Sequence, residues 1–410
     1  MTDWVPVVRD DATRARVYAC IDGIRGYLDE MVPQCVWTMH ACDVADLALL
    51  YDYLAHSVSY KREVNGRQLE LLDVAITRLA QQDLPSRLCY GFPRIAWVAS
   101  HIGGGVNGHF DGEAFEEIDD AVLEFLSANR RLQFDLFFGV VGLGIYLVQR
   151  LPSARARIGL EKVLERLVSS ADATETGLSW LCPPEHLGPI ELELCPNGYR
   201  GIGMAHGAAG VVAFLGLLCR SGFSKEVTAE TASGAIRWIL SQPRSAHGGP
   251  QFARRADHGA VGFRGWCWGD TGIASGVLFA ARSFGQREWE QAAIDIAAVA
   301  ASERRVPVND AALCHGASGQ AHMFNRLYQT TGDDRFLEAT RHWIDRSLGF
   351  FEAGGVSGLR SRMTTPDSDE GGWMVDYSLM NGLAGVGLAL LATVDPRPPG
   401  WDQLMMLSSS

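Results

Sequence analysis

Apolar residues in this chain gather in short runs, and each run is opened by a glycine-rich turn. The runs begin as YGFPRIAWVASHI at Tyr90, FGVVGLGIYLVQRL at Phe138, HGAAGVVAFLGLL at His206, WGDTGIASGVLFAA at Trp268, HGASGQAHMFNRLY at His315 and NGLAGVGLALLATV at Asn381. The shared core is G-x-x-G or G-x-x-x-I followed by residues that are apolar nearly all round, which predicts a buried helix. Gly91 and Gly139 lie 48 residues apart, and Gly269 and Gly316 lie 47 apart. The remaining spacings are near 65, which leaves room for loops between Ser170 and Pro196 and between Gly355 and Met374. Between the turns run amphipathic stretches: AFEEIDDAVLEFLSANRRL from Ala114, SKEVTAETASGAIRWIL from Ser224 and REWEQAAIDIAAVAASERR from Arg287. Their apolar residues recur at three- and four-residue spacing, as on surface helices. Alternating β-branched runs are scarce.

A buried helix and an amphipathic helix, repeated six or seven times, predict an all-α fold. The expected architecture is a closed α/α toroid, a double-layered barrel of about seven helix pairs, formed by residues 1–410 as a single domain. An open helical solenoid is the competing arrangement. Closure is preferred because the inner helices are too apolar to line an exposed concave surface. The glycine turns would then share one end of the barrel, with the positive ends of the inner helix dipoles at its mouth. Residues 1–86 carry no matching motif.

Composition narrows the function classes. The chain has 410 residues, 47 % of them hydrophobic, and a formal charge of −12. The acidic balance argues against nucleic acid as a partner and suits a cationic peptide better. Nine cysteines scattered over a long chain do not form a disulfide framework. The first eleven residues lack a basic-then-apolar signal pattern. No window approaches the roughly 20 uninterrupted apolar residues of a membrane span. The expected compartment is therefore the reducing cytosol, and the expected chain has no transmembrane segment.

Three turns carry unusual chemistry: MAHG (Met204–Gly207), GWCWGD (Gly265–Asp270) and LCHG (Leu313–Gly316). Cys267, Cys314 and His315 are the residue types that zinc prefers, and three protein ligands leave the open position of a catalytic zinc. Adjacent residues on a regular helix diverge by about 100°, so Cys314 and His315 can converge on one ion only at an irregular turn. Each cysteine taken singly reads as a buried thiol; at equivalent turns, with a histidine beside one of them, the metal reading prevails. His206, at the matching turn of an earlier repeat, is a fourth ligand, a general acid/base or a core histidine. Asp135, in QFDLFFG, is either a helix cap or a buried acid with a catalytic role. Arg264, three residues before Cys267, is a candidate to hold an oxyanion or a substrate carboxylate, or a surface arginine. Cys182, His186 and Cys195 form a loose cluster that reads as structural.

The combination of MAHGAAGVV, WCWGDTGIASG and LCHGASG resembles the lanthionine synthetase C (LanC) family of lanthipeptide cyclases, over nearly the whole chain after Cys89. The resemblance implies an α/α toroid with one zinc ion, and an enzyme of lanthipeptide (lantibiotic) biosynthesis. Such an enzyme adds a peptide cysteine thiol to dehydroalanine or dehydrobutyrine, a Michael-type addition that forms a thioether ring. It implies Cys267, Cys314 and His315 as zinc ligands and His206 and Asp135 as acid/base residues. The implied partners are a dehydrated precursor peptide and a separate dehydratase. Two departures stand out: Trp268 follows the first cysteine where the family usually has tyrosine, and Arg264 sits three rather than four residues before it. Competing expectations are a LanC-like protein that binds peptides or glutathione without cyclising them, and a zinc-dependent prenyltransferase. A glycosidase would need a carboxylate pair that is not evident.

Overall fold

The computed structural model describes residues 4–60, 66–103, 112–128, 131–245, 249–256, 262, 264–303, 308–362 and 372–408. Among these, regular structure is overwhelmingly helical, and the strands are two short antiparallel hairpins, Asp172–Thr174 with Gly177–Ser179 and Ser361–Arg362 with Trp373–Met374. Backbone contacts divide the chain into two compact units.

One unit comprises Met1–Asp83, Ala301–Thr365 and Asp369–Trp401. Its amphipathic helices include α1 (Asp11–Cys35), α3 (Arg67–Leu79) and α14 (Asp334–Gly354); its buried helices are α2 (Ala41–His56), α13 (Ala317–Thr331) and α15 (Leu383–Val394). Helix α2 is buried from Ala41 to Ala55 except at Asp43 and packs on α3 and α15. The N-terminal segment without a motif thus supplies a buried helix of its own. It starts without a glycine turn; the His40 side chain accepts from the Cys42 amide instead.

The other unit comprises Leu84–Ala300, Pro366–Ser368 and Asp402–Ser410. Here α4 (Phe92–Gly103), α6 (Val140–Gln149), α9 (Ala208–Arg220) and α11 (Asp270–Phe284) are the buried helices. The amphipathic ones are α5 (Gly112–Ser127), α7 (Ala154–Ser169), α10 (Lys225–Ser241) and α12 (Arg287–Ser302). A short helix, α8 (Pro189–Leu194), lies in the long insertion before α9. No helix among the described residues is long and apolar enough to cross a membrane.

The glycine motif has a local cause. Five turns have the same form: three turn residues, a glycine, then the buried helix. The first helical amide cannot find a partner within its own helix. It donates to the carbonyl seven residues earlier in four of them: Val140 to Gln133 (2.9 Å), Ala208 to Gly201 (3.0 Å), Ala317 to Asp310 (3.0 Å) and Leu383 to Asp376 (2.9 Å). The second glycine of G-x-x-G lets the helix close on its own turn. A Cβ at Gly142, Gly210, Gly272, Gly319 or Gly385 would run into the carbonyl of the first turn residue, Leu136, Met204, Trp266, Leu313 or Leu379. Gly319→Ala should therefore destabilise the protein by about 1–3 kcal/mol through overpacking. Gly349→Ala, on α14 where a Cβ meets nothing within 4 Å, should stabilise it by about 0.5–1 kcal/mol through helix propensity. Urea unfolding of the two variants measures both, and equal midpoints would refute this account of the motif.

Candidate functional site

The recurring turn gives each site residue a definite position. The first turn residues (Leu136, Met204, Trp266, Leu313, Leu379) are fully buried. The middle ones are Phe137, Ala205, Cys267, Cys314 and Met380, also buried. The last ones, next to the glycine, are Phe138, His206, Trp268, His315 and Asn381, and every one is half-buried. Cys267 and Cys314 thus share the middle position, and His206 and His315 share the last. Backbone bonds tie neighbouring turns together. In one unit the Cys89 amide donates to Phe137 (2.9 Å), Phe137 to Ala205 (3.3 Å) and Ala205 to Cys267 (3.0 Å); in the other, Cys314 donates to Met380 (2.8 Å). Side chains at the last position can therefore meet across adjacent turns.

His206 does so. Its Nδ1 lies 3.1 Å from Asp135 Oδ2. An ionised carboxylate can only accept, so Nδ1 donates. The other Asp135 oxygen accepts from the Phe138 amide at 2.7 Å, so Asp135 both caps its turn and orients the histidine. The imidazole stacks between two rings, Phe138 (5.2 Å, 30°) and Trp268 (4.9 Å, 29°), with the edge of Phe137 against it (5.2 Å, 89°). Burial favours neutral imidazole, but the hydrogen bond and charge of Asp135, aided by Cys267 and Glu191, outweigh it and raise the His206 pKa above its ordinary value.

The stack continues outward. Trp268 lies 5.8 Å from Tyr199, and the Arg255 guanidinium sits over Tyr199 (4.6 Å) and Trp268 (5.9 Å). Arg255 is held by Glu191 (2.7 Å) and by Cys195 Sγ (3.3 Å). At the Phe138 end, the Arg87 guanidinium carbon lies 5.2 Å over the ring. Nothing in periodicity singled out Arg87, Tyr199 or Arg255; aligning the turns residue by residue does mark Phe138 and Trp268 as partners of His206.

Arg264 is buried rather than on the surface, and its Nη1 donates to the Ala300 carbonyl near the end of α12 at 3.1 Å. Cys182 pairs with Tyr199 through the backbone and accepts from Gln133 Nε2 (3.8 Å), while Cys195 faces Arg255. Burial pushes the Cys182 thiol up to about 11.

In the other unit, His315 Nε2 lies 3.4 Å from Asp310 Oδ2, and Asp310 Oδ1 also accepts from the Ala312 amide at 3.0 Å. Asp310 faces the histidine of its own turn through Nε2, whereas Asp135 meets His206 of another turn through Nδ1. Cys314 and His315 are brought together on one turn; Cys267 belongs to the other unit. Among the described residues, no three His, Cys, Asp or Glu side chains are grouped to hold a metal ion. The fit of the three to zinc rests on donor chemistry: two thiols and an imidazole at equivalent turn positions, with a carboxylate orienting the imidazole as outer-shell carboxylates do.

A helical repeat protein with cysteine and histidine at equivalent glycine turns is the class that fold and site define. A sequence profile described as lanthionine synthetase C-like protein matches residues 63–406, and the chain belongs to that family. Among solved structures, it resembles nisin cyclase with a TM-score of 0.72 at 17 % identity, covering 97 % of this chain and 98 % of the other. That likeness shows the fold, the all-α, α/α-toroid class expected from the repeats. Two curated relatives match over shorter stretches. Glutathione S-transferase LANCL1 of Danio rerio is 29 % identical over 131 residues, 32 % of this chain and 28 % of its own length. LanC-like protein GCL1 of Arabidopsis thaliana is 26 % identical over 227 residues, 53 % of this chain and 48 % of its own. The matched regions span less than half of either relative.

Proposed function

We propose that the protein is a zinc-dependent cyclase that adds peptide cysteine thiols to dehydroalanine or dehydrobutyrine, forming lanthionine or methyllanthionine. The observation that carries this reading is the His206–Asp135 pair, clamped between Phe138 and Trp268 one residue from Cys267 along the turn. Cys267, Cys314 and His315 would hold the zinc, and a bound zinc lowers the pKa of a thiol that joins it and fixes the sulfur in place. A proton on His315 Nε2, which faces Asp310 at 3.4 Å, would leave the Nδ1 lone pair for the metal.

His206 moves the proton. With Nδ1 donating to Asp135, Nε2 is the basic edge of the neutral ring. Nε2 takes the thiol proton, and Asp135 stabilises the imidazolium so formed. The sulfur–Cβ bond forms as the Cα=Cβ π bond breaks, and the electron pair moves toward the adjoining carbonyl as an enolate. The proton on Nε2 then returns to Cα. Nothing leaves, so ring closure does not change the mass. The aromatic walls on both faces of the imidazole keep water from its faces. Arg264, held on the Ala300 carbonyl, would position the turn bearing Cys267.

The test uses matched precursor peptides, one unmodified and one dehydrated by a separate dehydratase, incubated with purified zinc-loaded protein without nucleotide. Thiol alkylation followed by mass spectrometry counts the remaining cysteines. Only the dehydrated peptide should lose alkylatable thiols, with no change in its own mass. Water loss from the unmodified peptide, or no thiol loss from either, would overturn the reading. The name of the Danio rerio relative, a glutathione S-transferase, favours one other reading: the same site adding the thiol of glutathione to an electrophile. Glutathione adducts on the dehydrated peptide, in place of rings, would select it.

A further inference from the structure

Two of the arginines already described, Arg255 and Arg264, are held by protein acceptors. Arg255 is engaged by Glu191 and Cys195, and Arg264 donates to the Ala300 carbonyl. Arg87 differs. Among the described residues its side chain makes neither an ion pair nor a hydrogen bond, and its Nε is buried without an acceptor. Its guanidinium lies over the Phe138 ring. Packing on an aromatic face occupies the plane of a guanidinium but leaves its N–H edges able to donate, in the fork that matches a carboxylate. A half-buried cation whose donors lack protein acceptors among the described residues, in a chain of net charge −12, is poised for an anion from outside.

The Arg87 guanidinium carbon and the His206 ring each lie 5.2 Å from the centre of the same Phe138 ring. The two groups are therefore separated by no more than twice that distance, the span of about three residues of extended peptide. We propose that Arg87 is an anion-recognition residue of this site, and that it takes a carboxylate carried within about three residues of the reacting cysteine. The proposal rests on the reading of the His206 site as one that handles a peptide thiol. It predicts a preference for peptides with Glu or Asp beside the reacting cysteine.

Binding, not turnover, tests it. Two synthetic hexapeptides with one cysteine and no dehydro residue, differing only by Glu or Gln two residues from the cysteine, are titrated into the zinc-loaded protein by calorimetry. The Glu peptide should bind about tenfold more tightly, as a charge-assisted bidentate contact provides, and the preference should shrink with added salt. Arg87→Gln, which keeps the packed stem, should remove the preference; Arg87→Lys should keep part of it; Arg87→Glu should reverse it. Equal binding of both peptides by the unaltered protein, or a preference that survives Arg87→Gln, would overturn the proposal. So would failure of both peptides to bind. Cyclisation of a dehydrated peptide without acidic residues reads the cyclase assignment separately. An Arg87-dependent preference without cyclisation would leave an anion-recognising thiol site and discard the cyclase.

Discussion

Cys314→Ala should lose most of its zinc and essentially all of its cyclisation activity while keeping its helical content, and Cys267→Ala should do the same. Each cysteine occupies the buried middle position of its turn, where removing the thiol leaves the backbone bonds of the turn in place. An ion held by two thiolates and one imidazole loses a charged soft donor in either variant, and the remaining pair is a poor zinc site. Elemental analysis after dialysis against a weak chelator measures the loss, and circular dichroism checks the fold. Full occupancy in Cys314→Ala would refute the ligand set. Asp310→Asn separates orientation from ligation. The amide oxygen still caps the Ala312 N–H, but the carboxylate facing His315 Nε2 is gone. Outer-shell changes of this kind typically cost 10–100-fold in metal affinity, so competition with a colorimetric chelator should show a weakened but measurable site. An unchanged affinity would detach Asp310 from the metal reading.

Much of this was legible in the chain. The G-x-x-G pattern marks every turn whose helix must close on its own carbonyl, because only glycine avoids the clash there. Runs apolar all round mark the buried helices that follow. Position within the turn is equally legible: Cys267 and Cys314 align, as do His206 and His315. Helix α2 escaped because His40, not a glycine, opens it. Partnerships across turns escaped for another reason. Asp135 and His206 are 71 residues apart, and a repeat pattern states which residues are equivalent without stating which side chains meet. The aromatic clamp is of that kind: Trp268 stands out in the sequence only as a departure from the family's tyrosine, and its meeting with His206 shows only when adjacent turns are set side by side. Arg264 shows the converse. Its place three residues before Cys267 suggested a substrate contact, and sequence proximity says nothing of the Ala300 carbonyl, 36 residues on, to which its Nη1 donates.

His206→Ala should keep its zinc and its fold and lose about 10²- to 10⁴-fold in the rate of ring closure, the range that a positioned acid/base group contributes. The imidazole fills the space between Phe138 and Trp268, so alanine also loosens the clamp. His206→Gln keeps more of the volume while removing the transferable proton, and it should show the same rate loss with less effect on stability. Asp135→Asn gives the sharper test. The amide oxygen can still accept from the Phe138 N–H, so the turn cap survives. What is lost is the charge that overcomes burial and raises the His206 pKa. Without it, burial becomes the dominant effect, and the imidazole should release its proton at lower pH than in the unaltered protein. The limb of the pH–rate profile that reports His206 should therefore move to lower pH in Asp135→Asn. The rate should also fall at neutral pH, because the imidazolium formed during proton transfer has lost its counter-charge. If His206→Ala loses its zinc, the histidine is a ligand and the coordination set changes. If Asp135→Asn leaves both the rate and the position of that limb unaltered, Asp135 is a turn cap alone.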